Sequence, residues 1–222
     1  MNVIEAIQSR KTCRAFLNTP VRQETLAKIL ELAMRAPSGG NLQPWRVYVV
    51  TGSVMRSIIE RVREGRTEDQ GPEYNVYPPN LKEPYRTRRF EIGEAIYKIV
   101  NVAREDKATR LKWWARNFEF FNAPAAFFFT MDRIMEVGQW ADLGMFMENI
   151  MLLAREFGLH TAPQEAWATW TPLLKDILGI PENEMLFCGM AIGYEDTNHP
   201  LAVLESNRAP LGDIVTFHGF DD

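Results

Sequence analysis

Apolar residues recur at helical spacing along parts of this 222-residue chain and form short unbroken runs elsewhere. Val3, Ile4 and Ile7 share one face of a short amphipathic helix within residues 1–10. From Gln23 onward Leu26, Ile29, Leu30 and Ala33 repeat at i, i+3, i+4 and i+7, which predicts a second helix. It must end by Ala36, because Pro37 disfavours helical geometry in the residue before it and Gly39-Gly40 follow. The β-branched and aromatic run 46–51 (RVYVVT) predicts a strand, and Ser53 is a candidate N-cap for a helix reaching about Arg63. Further helices are expected over 89–104 and 107–120, then a buried strand at 125–131 (AAFFFTM). In 139–157, Trp140, Leu143, Met147, Ile150, Met151 and Ala154 fall at helical spacing, and Phe146, Leu152 and Leu153 widen the stripe nearly all round. A helix that apolar belongs at the centre of a core or of an oligomer interface. Gly158 stops it; Thr171-Pro172 opens another short helix that Gly179 ends, and 185–194 predicts a further buried strand.

One stretch breaks the pattern. Residues 64–86 are polar, carry four prolines and show no periodicity, and irregular segments of that length in a compact domain are usually functional or disordered. Tyr74, Tyr77 and Tyr85 within it favour an ordered, packed segment. With no repeat and no interdomain linker, the expectation is one α+β domain over 1–222, carrying an inserted segment at about 64–121.

Composition narrows the function classes. At 46% hydrophobic and 24% charged residues the chain is globular rather than disordered. Its net charge of −4 gives no basic footprint for nucleic acid. The longest apolar run, 123–131, is far short of the roughly 18 residues of a spanning helix, so no membrane partner is expected. Cys13 and Cys188 cannot form a disulfide framework and lack metal-ligand spacing, which fits a reduced, cytoplasmic compartment. His160, His199 and His218 are scattered, so no metal site is expected. Phosphate-loop, nucleophile-elbow and zinc-protease motifs are all missing.

Two polar segments flank the second helix. In the first, Ser9-Arg10-Lys11-Thr12-Cys13-Arg14, three cations and a hydroxyl suit a phosphate, although cations after a helix also simply complement its dipole. In the second, 36–45 (APSGGNLQPW), two glycines allow close backbone approach to a ligand and Ser38, Asn41 and Gln43 offer hydrogen bonds; a helix stop and turn accounts for the same residues.

Together the segments resemble the flavin-dependent nitroreductase family, whose opening S-R-[RK]-[ST]-x-R-x-F is matched by SRKTCRAF at 9–16 and whose A-P-S-[GS]-x-N-x-Q-P-W is matched at 36–45. Asn122-Ala123-Pro124, the apolar helix at 140–159, Pro163-Gln164-Glu165-Ala166-Trp167, the strand at 189–193 and Arg208-Ala209-Pro210-Leu211 are similar to later family landmarks in order. The resemblance implies a central, mostly antiparallel sheet flanked by helices, a helical lid, an extended C-terminal arm and an intertwined homodimer with shared FMN sites. Arg10, Lys11, Thr12 and Arg208 would hold the phosphate and ribityl chain. Arg14 would reach the N1/O2 edge of the ring, where negative charge develops during turnover. Pro37, Ser38, Gly39, Asn41 and Gln43 would line the site, usually from the other subunit, with Pro163, Gln164 and Glu165 at the flavin edge and the Glu165 backbone N–H near N5. The implied activity is ping-pong reduction of nitroaromatics or quinones by NADH or NADPH. Ala166, where the family often has Gly, is closer to the branch acting on nitrobenzoates and dinitroaniline-type compounds. Tyr97, Trp113, Trp114 and Phe120 are candidate lid contacts for a flat electron-poor ring, with ordinary core packing as the competing account. Arg86, Arg88 and Arg89 could attract a carboxylated substrate or could simply start a solvated helix. A reductive dehalogenase, an enone reductase and a non-catalytic flavin-binding protein are the other functions the same fold admits.

Overall fold

The computed structural model describes residues 1–65 and 72–220. Residues 66–71, part of the expected irregular segment, and 221–222 lie outside the described residues. Four strands, β1 (Arg46–Thr51), β2 (Ala125–Asp132), β3 (His160–Gln164) and β4 (Glu184–Gly193), form one antiparallel sheet in the order β1-β2-β4-β3. Seven α-helices are described: α1 (Val3–Ser9), α2 (Gln23–Ala33), α3 (Gly52–Arg63), α4 (Tyr85–Ile99), α5 (Lys107–Ala115), α6 (Val137–Glu156) and α7 (Thr171–Leu178).

The central strands are buried on both faces, which is why β2 reads as a continuous apolar run rather than an alternating one. Alternation still sorts its side chains by face. Phe127 and Phe129, paired in register with Met190 and Cys188, pack with Leu26, Ile29, Phe146 and Ile150 under α2 and α6. Ala126 and Phe128 face the opposite layer, where Trp167, Phe120, Ile58 and Leu174 pack beneath α3 and α7. Gly189 is required there, because a Cβ at that position would stand 2.3 Å from Cδ1 of the fully buried Trp167.

Several expectations shift. The N-cap of α3 is Thr51, not Ser53, and the helix starts at Gly52. The helix expected at 89–104 begins earlier, at Tyr85, and α5 ends at Ala115 in a 3-10 turn, Arg116–Asn122. β3 was not expected as a strand; its sequence HTAPQ has neither alternation nor β-branched density. It survives at the edge of the sheet, the position where a proline can be tolerated. In α1 the predicted apolar face is not covered: Val3 and Ile4 are 69% and 66% exposed. On α6, Asp142, Leu143, Phe146, Met147, Ile150 and Ala154 are buried, while Val137, Ala141, Gly144 and Met145 form an exposed apolar strip.

Candidate active site

A short extended segment after α1 runs beside β3. Thr12 bridges Thr161, and the Cys13 N–H donates to the Thr161 carbonyl at 2.9 Å, so the segment that carries Arg10 to Arg14 is held beside β3, whose last residues are Pro163 and Gln164. Sequence placed these two groups some 150 residues apart; the sheet edge brings them together.

Arg14 is the electrostatic centre of this edge. Burial lowers its pKa, its Nη1 donates only to the Thr12 carbonyl at 3.3 Å, and no carboxylate forms an ion pair with it among the described residues. A desolvated guanidinium without a counter-ion favours any negative charge brought against it. Arg10 approaches Glu148 only to 3.9 Å. The Lys11 ammonium is held by Glu195 at 2.9 Å and by the Ala202 carbonyl. Arg208 is exposed and bonds to Ser206 and Asn207 within its own turn.

At the end of β3, Gln164 is 2% exposed; its Nε2 donates to the Asn117 carbonyl, while Oε1 has no donor among the described residues. Glu165 follows, half-buried, with its carboxyl pKa raised by desolvation. The glycine loop is anchored from α6: the buried Asp142 carboxylate accepts the Gly39 N–H, at 3.2 and 3.3 Å to its two oxygens. Ser38 Oγ accepts the Gln43 N–H at 3.0 Å. Gly40, Asn41 and Gln43 all have positive φ, a geometry rare for non-glycine residues. Pro37, Gly39, Asn41 and Gln43 are exposed, so this loop displays its polar groups outward from the chain that carries it.

The lid candidates separate. Phe120 is fully buried and stacked on Trp167 with ring centroids 4.7 Å apart, which makes it a core residue rather than a substrate contact. Tyr97 is engaged between α4 and α5, under the Arg110 guanidinium at 4.2 Å. Trp113 is half-buried and edge-on to His199, and Trp114 is exposed beside Phe118. Among the basic residues considered for a carboxylate, Arg86 pairs with Glu83 and Arg89 lies over Tyr77. A cleft of about 450 Å³ lined by Leu17, Thr19, His160, Tyr194 and Glu195 contains none of the expected flavin contacts.

The arrangement suits FMN on its own chemistry. The isoalloxazine edge offers acceptors to Arg14 and an N–H donor to a buried acceptor such as Gln164 Oε1, and the phosphate matches guanidinium forks. Fold and site define a cofactor-binding oxidoreductase. More narrowly, the chain belongs to the Nitroreductase family, which it matches over residues 7–194. It is 37% identical over 221 residues to a chloronitrobenzene nitroreductase of Comamonas testosteroni, covering 96% of this chain and 95% of that protein. It is 33% identical over 215 residues to a 4-nitrobenzoate reductase of Pseudomonas putida, covering 97% and 95%. The crystal structure of the FMN and NADPH-dependent nitroreductase NfnB from Sphigopyxis sp. strain HMH superposes with a TM-score of 0.94 at 41% identity, covering 99% of this chain and 100% of that one. Among the described residues no helix is long and apolar enough to cross a membrane, and no group of His, Cys, Asp and Glu could hold a metal ion.

Proposed function

We propose that this chain is an FMN-dependent enzyme that oxidises NADPH or NADH and reduces nitroaromatic compounds. The observation that carries this reading is Arg14, a desolvated cation without a carboxylate, set two residues beyond the Thr12 bridge to Thr161 of β3. Bound FMN supplies two-electron hydride relay between a nicotinamide and a nitroarene. Arg14 holds positive charge where negative charge must be stabilised. Glu165 offers its main-chain N–H at the flavin edge, with Pro163 and Gln164 completing that wall. Arg10 and Arg208 bind the phosphate and Thr12 the ribityl chain. Lys11, paired with Glu195, keeps the segment in place. The names of relatives 33–37% identical to this chain, a chloronitrobenzene nitroreductase, a 4-nitrobenzoate reductase and a nitrobenzene nitroreductase, support the substrate class.

The site is completed by a second copy in a homodimer. Pro37, Ser38, Gly39, Asn41 and Gln43 reach the neighbouring chain's site, and the chain is one domain in which about 64–121 covers the flavin. The uncovered apolar faces of α1 and α6, with exposed Leu211, Ile214, Phe217 and Phe220 on the C-terminal arm, support this assembly. Two buried, reduced cysteines accord with a cytoplasmic location.

Purification tests the reading directly. The protein should be yellow, release one FMN per chain on denaturation, bleach anaerobically with NADPH or NADH and recover its colour with nitroarenes. Light scattering should give twice the chain mass of 25.6 kDa. Colourless protein that takes up no added FMN ends the reading, and a stable flavin-loaded monomer ends the shared site.

A further inference from the structure

Arg116 follows α5 and opens the 3-10 turn Arg116–Asn122. Its guanidinium lies over the Trp113 ring, 4.8 Å from the centroid. Among the described residues it makes no ion pair; Glu119, the acidic group that acts on it from a distance, is taken by Arg63 at 2.7 Å. Burial lowers its pKa, as it does for Arg14.

Contacts on either side locate Arg116 between the two proposed flavin-holding segments. The next residue, Asn117, accepts Gln164 Nε2 through its carbonyl, and Phe118 packs edge-on against Trp167 at 5.2 Å. On the other side Trp113 meets His199, whose turn is tied by the Asp196 N–H to the carbonyl of Ala15, next to Arg14. A guanidinium lying over an indole keeps its in-plane N–H fork free, and that fork matches a planar carboxylate. The arginines at the start of α4 differ from it: Arg86 is neutralised by Glu83, and Arg88 and Arg89, which lie over Tyr85 and Tyr77, are exposed.

We propose that Arg116 is a specificity-determining residue that binds a carboxylate carried by the aromatic substrate, so that the enzyme favours nitroarenes bearing one. This rests on the nitroarene reading above. The source of the anion is the substrate ring rather than the nicotinamide dinucleotide, because the Trp113 face beside the guanidinium suits an aromatic acid.

The test uses flavin-loaded enzyme, with 4-nitrobenzoate and nitrobenzene as paired substrates. Benzoate, which has the carboxylate but nothing to reduce, serves as a binding probe read by the flavin spectrum. Arg116→Ala should raise KM for 4-nitrobenzoate and Kd for benzoate by about 10–100-fold, the loss expected for a charge-assisted pair. The ratio of kcat/KM for the two substrates should fall by the same factor, and Arg116→Lys should lie between. Arg86→Ala should leave the ratio unchanged. Equal losses on both substrates, or unaltered benzoate affinity, overturn the proposal. If Arg116→Ala does not fold, Arg116→Lys with a wild-type ratio and wild-type benzoate affinity overturns it as well. A KM rise for NADPH but not NADH, with benzoate binding intact, assigns the residue to the dinucleotide phosphate instead. A wild-type protein that binds FMN and reduces nitrobenzene but shows no preference for the carboxylate sinks this inference alone. One that takes up no FMN sinks the function on which it rests.

Discussion

Arg14 and Arg10 stand on one short segment, yet their removal should have different consequences. Arg14 carries a desolvated charge with no acid beside it, so Arg14→Ala should slow reduction by NADPH by about 10²–10³, the usual effect of removing a fixed charge donor from a site. Stopped-flow rates corrected for flavin content check this, and Arg14→Lys should restore part of the rate because a point charge suffices. Arg10→Ala and Arg208→Ala should instead lower flavin occupancy and leave the loaded enzyme closer to normal. Wild-type reduction by Arg14→Ala would pass the role to the Glu165 backbone. The cations were legible in sequence because they cluster. Lys11 was legible as a cation but not as a paired one, since its partner Glu195 lies far along the chain. Arg116 carried no signal at all, because its meaning depends on an indole one turn away and on acids that are elsewhere. Phe120 misled for the converse reason: composition does not say which aromatic is stacked in the core.

The elements most readable in sequence are those whose burial sets their pattern. β1, β2, α2 and α7 fall where apolar spacing puts them, and Gly179 ends α7 in the left-handed conformation expected of it. β3 was unreadable because its order comes from β4 on one side and the Thr12 segment on the other, not from its own residues. That strand opens at a junction with its own pH dependence. His160 Nδ1 accepts from Arg155 Nη1 at 3.1 Å, and its Nε2 faces Glu195 at 3.5 Å. Burial first, then Arg155, lowers its pKa from 6.5 to about 4, against the pull of Glu195. Between those values the unfolded chain binds a proton that the folded one refuses, so this contribution to stability is complete above pH 6.5 and declines toward pH 4. Acidification from pH 6.5 to 5 should lower stability through this residue. Urea denaturation at the two pH values checks it, and His160→Gln should flatten the difference; an unchanged slope in that variant assigns the acid sensitivity elsewhere.

For the whole molecule, the two faces of the sheet divide the labour. The α3–α7 side is closed by large aromatics, while the α2–α6 side and the arm leave apolar surface uncovered. Each face also conceals one cysteine: Cys13 lies in the first layer and Cys188 in the second, both almost wholly buried, with the Cys13 thiol pushed up to about 12 by desolvation and that of Cys188 raised as well. Nitroarene reduction passes through nitroso compounds, which are electrophiles that capture sulfur in its anionic form. A protein with neither sulfur ionised nor accessible resists sulfur–nitrogen adduct formation with the nitroso compounds it generates. Ellman titration of the native enzyme should therefore detect no thiol and that of the unfolded chain two, and turnover with excess nitroarene should leave both unmodified by mass spectrometry. A rapidly titrating native thiol would contradict it. Sequestered sulfur closes one route by which this catalyst would be poisoned by what it makes.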